Sequence, residues 1–252
     1  AVEETIKIME DSPLFNAGRG SVYNSDGVQE MDASIMDGKN RITGAVASVS
    51  IVKNPVKLAR KVAEETNHVL LVGKGAERFA KEANVEIVDR NYFYNEERLQ
   101  RLNNSKNKIS KSIQKSDKIG TVGAVALDRD GNIAAATSTG GMTNKMPGRV
   151  GDSPLIGSGT WAQNGVCGVS STGHGEYFIK YQVAREVCVR IEYLDQSLNY
   201  AAESIIEELN DLDASGGLIA IDSNGNISTP FNTRGMIRGS KTNRTDLKSY
   251  IY

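Results

Sequence analysis

An α+β fold is what this sequence predicts, and three observations carry it. Two apolar strand pairs close on tight turns: "TVGAVALDRDGNIAAATST" (121–139) turns at Asp-Gly, and "GGLIAIDSNGNIST" (216–229) turns at Asn-Gly. Such dipeptides between apolar runs are a strong hairpin signal. Two long helical patterns, 175–193 and 197–211, follow one another instead of alternating with strands. Antiparallel hairpins with segregated helices imply an α+β sandwich, not a doubly wound parallel sheet.

The elements follow in order. Residues 1–10 read as the end of an amphipathic helix, with Val2, Ile6 and Met9 on one face. The chain there reads as cut into an element, with a segment expected upstream. "SPLFNAGRGS" (12–21) is a turn-rich loop. Strands are expected at about 30–36 and 42–52. "NPVKLARKVAEETNH" reads as a helix capped by Asn54, with Pro55 in its first turn. "VLLVGKGAERFAKEAN" reads as a short buried strand, a glycine turn and a helix. From about 95 to 120 the chain loses apolar residues and gains Lys, Asn and Ser, which predicts a partly helical start fading into a mobile linker. Strands resume at 121–128, 133–139 and 165–172. The helices 175–193 and 197–211 and the hairpin 216–229 complete the pattern.

Composition removes several function classes. With 252 residues, 39% of them apolar, the chain suits one large domain or two small ones. A net charge of −1 provides no global field for nucleic acid or an anionic membrane. No apolar run approaches the roughly 18 residues of a membrane span, and the acidic opening "AVEETIKIMEDSP" lacks the basic start and apolar block of a secretion signal. Cys167 and Cys188 are too few for a disulfide framework; they read as two buried reduced thiols in a reducing, cytoplasmic compartment.

Few stretches carry chemistry. Gly73-Lys74-Gly75 lacks the third glycine of a dinucleotide fingerprint and reads as a helix-starting turn. His68 and His174, the only histidines, lie too far apart in sequence for a His-based zinc motif. A Ser-His-Asp triad through His174 stays open, although no Gly-x-Ser-x-Gly elbow is present. An enzyme with so little histidine needs another base, and Thr121 offers one. If the Gly120–Thr121 bond breaks, the freed α-amine of Thr121, with a pKa of roughly 7.7–8.0, becomes a base within reach of its own hydroxyl. Gly120 suits the cut, because it has no Cβ and leaves its carbonyl open. The plain alternative is a loop that ends where a core strand starts. Downstream, Arg149 and Asp152 present a planar fork for a carboxylate and an acceptor for an ammonium, the two charged ends of an amino acid; the alternative is a surface ion pair. "SSTGHGE" (170–176) ends a strand and starts a helix, so Thr172 Oγ1 and the Gly173 N–H can face an oxyanion, or simply cap a turn.

"GTVGAVALDRDGNIAAATSTGGMTNKMPGRVGDSPLIGSGTWA", "SSTGHGE", "SGGLIAID", "PFNTRGMIRG", "DSPLFNAGRGS" and "EMDASIMDG" together closely resemble the plant-type (type III) asparaginases, or isoaspartyl peptidases, of the N-terminal nucleophile hydrolases. The resemblance covers nearly the whole chain outside the linker and the last ten or so residues. It implies a four-layer αββα sandwich, made as one inactive chain that cleaves itself into an α subunit (1–120) and a β subunit (121–252) and pairs into a dimer of αβ units. Thr121 resembles the nucleophile and Gly120–Thr121 the cleaved bond. Thr139 resembles a second threonine beside it. Arg149 and Asp152 resemble the substrate clamp, and Thr172 and Gly173 the oxyanion hole. Asn16 resembles an active-site asparagine that holds the nucleophile. A sodium ion is implied at the backbone carbonyls of Met9, Glu10, Ser12, Phe15, Ala17 and Arg19, with no organic cofactor. His174, where relatives vary, is expected to face the substrate. The family's opening strand and His-Gly-Gly-Ala-Gly turn have no counterpart among these residues, so the expected sandwich lacks that strand and turn.

The implied activity is hydrolysis of L-asparagine to L-aspartate and ammonia, and of β-aspartyl dipeptides. Two other readings stay open. A glycosylasparaginase shares the sandwich and the threonine, and cleavage of glycosylasparagine separates it. A non-catalytic fold relative is separated by the release of ammonia from asparagine.

Overall fold

The computed structural model describes residues 1–107, 120–243 and 245–252. It is a mixed α/β structure built around two main sheets. Helix α1 (Val2–Glu10) buries Val2 and Ile6, as its spacing requires. Strands β1 (Met31–Asp37) and β2 (Ile42–Val49) pair antiparallel, with a register slip between Met31 and Ala33. Helix α2 (Pro55–Glu65) follows, then β3 (Leu70–Val72), α3 (Gly73–Glu82) and α4 (Glu96–Asn107). Strands β4 (Val122–Leu127) and β5 (Ile133–Thr139) form the first expected hairpin, with Gly131 at φ +80° in the turn. Asp128 closes that turn by accepting from the Asp130 and Asn132 N–H groups through Oδ1. The five strands line up as β3-β2-β1-β5-β4.

The second sheet has the order β6-β7-β8-β9: β6 (Thr160–Gln163), β7 (Cys167–Gly173), β8 (Gly216–Asp222) and β9 (Ile227–Ser228). Helices α5 (Gly175–Tyr181), α6 (Val183–Leu194) and α7 (Leu198–Asp211) belong to this half. Ser197 caps α7 by accepting the Tyr200 N–H at 3.3 Å. Arg190 joins α6 to α7 through Ser204 and Glu208, both at 2.8 Å. A short hairpin of β10 (Arg238–Ser240) and β11 (Lys248–Tyr250) ends the chain.

Strand alternation sorts the first sheet into two faces. Val122, Ala124, Ala33 and Ala136 join one core with Ile6 of α1, Val56 and Leu58 of α2 and Ala76 of α3. Met36, Ala135 and Ile133 join the other, with Val169 and Leu218 of the second sheet and Val187 and Ile205 of α6 and α7. Between the sheets a polar layer precedes the apolar one. Ser34 donates to the Ser153 carbonyl at 2.6 Å, and the Thr137 and Ser170 hydroxyls meet at 2.7 Å. Gly123 faces Ser170 there, and any Cβ would overlap that side chain.

Four expectations need correction. Cys167 and Cys188 are not free thiols: they form a disulfide, because the start of β7 and the middle of α6 bring their Cα atoms to 5.6 Å. A bonded pair gives no ground for a reducing compartment. The helix expected over 175–193 breaks at Gln182, which takes the left-handed region at φ +50°. Strand β3 is not buried; it is an edge strand with only β2 beside it, and Val72 is 56% exposed. Asn54 occupies the cap position of α2, but its side chain donates to Asp11 Oδ1 at 3.0 Å instead of capping. Glu10, from α1, accepts the Val56 N–H in its place, at 3.1 Å. Of the expected linker, 96–107 is helix α4, and 108–119 lie outside the described residues. Among the described residues, no helix is long and apolar enough to cross a membrane.

Candidate active site

The hairpin register sets the first pair of groups. Val122 stands opposite Ser138, which brings Thr121, one residue earlier, opposite Thr139. Thr121 Oγ1 donates to Thr139 Oγ1 at 3.1 Å. The Thr139 oxygen also accepts the Gly141 N–H at 3.0 Å, so two donors hold it.

Asn16 braces the turn that supplies this N–H. Its Nδ2 donates to the Gly141 carbonyl at 2.7 Å, its Oδ1 accepts the Val22 N–H at 3.0 Å, and its carbonyl accepts the Gly140 N–H at 2.9 Å. Gly140 lies so close to Asn16 Oδ1 that a Cβ would sit 2.6 Å away. A side chain there would push the loop off the strand.

Strand β7 brings the next groups from the second sheet. Its end places Thr172 Oγ1 against Gly120: a Cβ on Gly120 would lie 3.3 Å from that oxygen. Gly173 follows and packs on Phe178, where a Cβ would come within 2.5 Å of the ring. His174 takes the N-cap position of α5, and its Nδ1 faces the Ser215 N–H at 3.4 Å.

Arg149 and Asp152 converge on the first residue of α5. A Cβ on Gly175 would lie 2.9 Å from both Arg149 Nη2 and Asp152 Oδ1, so this glycine leaves room for the two charged groups. Arg149 Nε donates to Glu176 Oε1 at 2.9 Å. Burial pulls the Glu176 carboxyl up, but its own backbone hydrogen bond and Arg149 outweigh that and hold it below its ordinary value. Asp152 is buried and its Oδ2 has no hydrogen-bond partner. Burial raises its carboxyl to about 7, with Arg149 pulling the other way. A buried, half-satisfied carboxyl beside a guanidinium is the complement of a ligand carrying both an ammonium and a carboxylate.

The last turn of α1 and the loop after it carry the six carbonyls from Met9 to Arg19. The Glu10 carbonyl lies against Gly18 and the Phe15 carbonyl against Gly20, where a Cβ would overlap each oxygen. The Met9 carbonyl accepts the Ser12 N–H at 3.2 Å and the Ala17 carbonyl the Gly20 N–H at 3.1 Å. Neutral carbonyl oxygens are hard donors, of the kind an alkali cation takes.

Tertiary structure adds groups that sequence reading missed. The Glu10 side chain is fully buried and accepts Ser138 Oγ at 2.7 Å, one residue from Thr139 on the other face of β5. Burial raises its carboxyl to about 8. Glu176 pairs with Arg149, and Asp32 and Lys145 lie buried nearby. Only Glu176 had a local signal, an acid in the first turn of a helix.

A family profile described as "Asparaginase" matches residues 1–251. An isoaspartyl peptidase of Escherichia coli K12 is 48% identical over 94% of this chain and 76% of its own length. An isoaspartyl peptidase/L-asparaginase of Rattus norvegicus is 47% identical over 89% and 68%, and one of Bos taurus is 44% identical over 94% and 77%.

Proposed function

This chain belongs to the asparaginase family, and from that premise we propose how its residues work. It is a hydrolase of L-asparagine and of isoaspartyl peptides. We propose that Thr121 is the nucleophile of two successive reactions and that the two sheets with their flanking helices form an αββα sandwich around it. The single observation that carries this reading is the Thr121–Thr139 hydroxyl pair, with Thr172 Oγ1 lying against Gly120.

In the first reaction Thr121 Oγ1 attacks the Gly120 carbonyl carbon. The acyl group moves from nitrogen to oxygen, and water hydrolyses the ester. Gly120 leaves as a carboxylate and Thr121 gains a free α-amine, separating residues 1–120 from 121–252. In the second reaction that amine takes the hydroxyl proton while Oγ1 attacks the side-chain amide carbon of the substrate. The Thr172 hydroxyl and the Gly173 N–H hold the developing oxyanion. The α-ammonium passes its proton to the departing nitrogen, so ammonia or an amino acid leaves. Water then releases L-aspartate from the ester.

Arg149 holds the substrate α-carboxylate and Asp152 its ammonium. Asn16 keeps the Gly140–Gly141 turn in place. His174, at the start of α5, is assigned to the side of the site that receives the leaving group. A sodium ion at the carbonyls of Met9, Glu10, Ser12, Phe15, Ala17 and Arg19 would brace the loop that carries Asn16; it takes no part in bond making. A dimer of αβ units belongs to the same proposal.

Intact-mass analysis tests the reading directly. Purified wild type is expected as two fragments, the second starting Thr-Val-Gly-Ala, and Thr121→Ala as one uncut chain. A wild type that remains uncut yet releases ammonia from asparagine would refute the role given to Thr121.

A further inference from the structure

The stretch "PFNTRGMIRG" (230–239) has no part in the site described so far, yet its third residue reaches the strand behind the oxyanion donors. Residues 230–232 run beside the start of β8. The Leu218 N–H donates to the Pro230 carbonyl at 3.1 Å, Phe231 bridges Gly217, and the Asn232 N–H donates to the Gly216 carbonyl at 3.0 Å. The Asn232 side chain makes two more bonds there. Its Oδ1 accepts the Gly216 N–H at 2.8 Å, and its Nδ2 donates to the Ala214 carbonyl at 2.9 Å. One half-buried asparagine thus holds both main-chain groups of Gly216 and the carbonyl two residues before it.

Gly216 is where the oxyanion donors rest. Strands β7 and β8 pair Thr172 with Gly217 and Gly173 with Gly216. One step further, the His174 N–H donates to the Ser215 carbonyl at 2.9 Å. Opposed residues of an antiparallel pair alternate between hydrogen-bonded and non-hydrogen-bonded. Gly173 and Gly216 are therefore a non-hydrogen-bonded pair, and each turns its N–H away from the other strand. The Gly173 N–H turns away from β8; the Gly216 N–H turns away from β7, onto Asn232.

Non-hydrogen-bonded pairs also approach most closely, and this pair is tight. A Cβ on Gly173 would lie 2.8 Å from Gly216 Cα, and a Cβ on Gly216 would overlap the Thr172 carbonyl oxygen. In so close a contact Gly173 cannot tilt unless Gly216 moves with it.

We propose that Asn232 is a positioning residue for the oxyanion donors: it fixes the Ala214–Gly216 turn, and that turn sets the direction of the Gly173 N–H and the seat of Thr172 beside it. The inference rests on the oxyanion role given above to Thr172 and Gly173. Asn232 acts through Gly216 and not on the substrate. Without its side chain the turn shifts, the donors swing off the developing charge, and the chemical step slows. The Arg149–Asp152 clamp belongs to a different segment, so substrate affinity stays nearly as it was.

The test compares Asn232→Ala, Asn232→Asp, Thr172→Val and the Asn232→Ala/Thr172→Val double variant with wild type. The readouts are amide hydrogen exchange of peptides covering 172–176 and 214–217, and kcat and KM for asparagine per cut chain, all well below the thermal midpoint. Asp keeps an acceptor for the Gly216 N–H and loses only the bond to the Ala214 carbonyl. Each Asn232 variant is expected to exchange faster in both segments. Each is also expected to lose about tenfold or more in kcat, as small misplacements in an active site do, with KM within about threefold. The Asn232→Ala loss should shrink when Thr172 is already Val, because both changes weaken the same donors. Unchanged exchange, faster exchange confined to 214–217, wild-type kcat, a change confined to KM, or losses that multiply in full would each overturn the proposal. If Asn232→Ala does not accumulate folded, Asn232→Asp takes its place throughout. If the variants stay uncut, exchange at 172–176 decides the matter, read against uncut Thr121→Ala. A wild type without activity, or Thr172→Val with wild-type kcat, refutes the underlying function instead. Exchange at 172–176 then still reads the link: faster exchange without the Asn232 side chain supports it, and unchanged exchange overturns it.

Discussion

Replacing Asp152 by Asn should make the protein more stable and unable to hold its substrate. Burial raises the Asp152 carboxyl from the ordinary 3.8 to about 7. A folded-state value above the unfolded one means that stability is fully present below pH 3.8 and is lost as pH rises through about 7. Ionising the buried group then costs about 4 kcal/mol at most, at 1.36 kcal/mol for each pH unit. Asn avoids that cost but brings an amide that also needs partners, so about 2 kcal/mol is a fair net gain. For a chain of this length that is a rise of roughly 4–8 °C in thermal midpoint. The gain should be small near pH 4, grow between about pH 4 and 7, and level off above. Differential scanning of wild type and variant across that range measures it, and titrating groups not coupled to Asp152 cancel in the difference. Added L-aspartate should raise the wild-type midpoint above pH 7, because its ammonium meets the ionised carboxylate, and should leave the variant unmoved. A variant no more stable than wild type at pH 8, or stabilised equally by L-aspartate, would refute this account of the clamp.

Two further outcomes are expected. Thr172→Val keeps the shape of β7 and removes one oxyanion donor, which should lower kcat by about a hundred- to a thousandfold with little change in KM; steady-state kinetics on matured protein would show it. Cys167 and Cys188 should resist alkylation in unfolded protein until a reductant is added. Changing both to Ser should cost about 2–4 kcal/mol in denaturant unfolding, since the bond closes a loop across a 21-residue separation.

The hairpins were legible in the sequence because their information is local. Asp130-Gly131 and Asn224-Gly225 need a glycine at positive φ, which both turns have, and Asp128 and Asp222 close them with side-chain hydrogen bonds within four residues. The amphipathic helices α1 and α7 were legible for the same reason: Val2 and Ile6, or Ala201, Ala202, Ile205 and Leu209, recur at helical spacing and face a core. Strand β6 was not, since its four residues sit in a Gly-, Ser- and Thr-rich stretch and are strand only by pairing with β7. The break at Gln182 leaves no composition signal either. Its side chain donates to Ser158 Oγ at 2.8 Å, a partner 24 residues away.

On the sequence alone, residue types and a family resemblance pointed to Thr121, Arg149, Asp152, Thr172 and Gly173 as candidates for chemistry. Which of them meet, and what surrounds them, was decided by the tertiary structure. The Cys167–Cys188 bond, the Glu176 partner of Arg149 and the Glu10 acceptor beneath Ser138 all join residues more than 20 positions apart. A side chain's reactivity depends on burial and on the charges within a few ångströms, and those neighbours come from sheet register and helix packing, which no local pattern encodes.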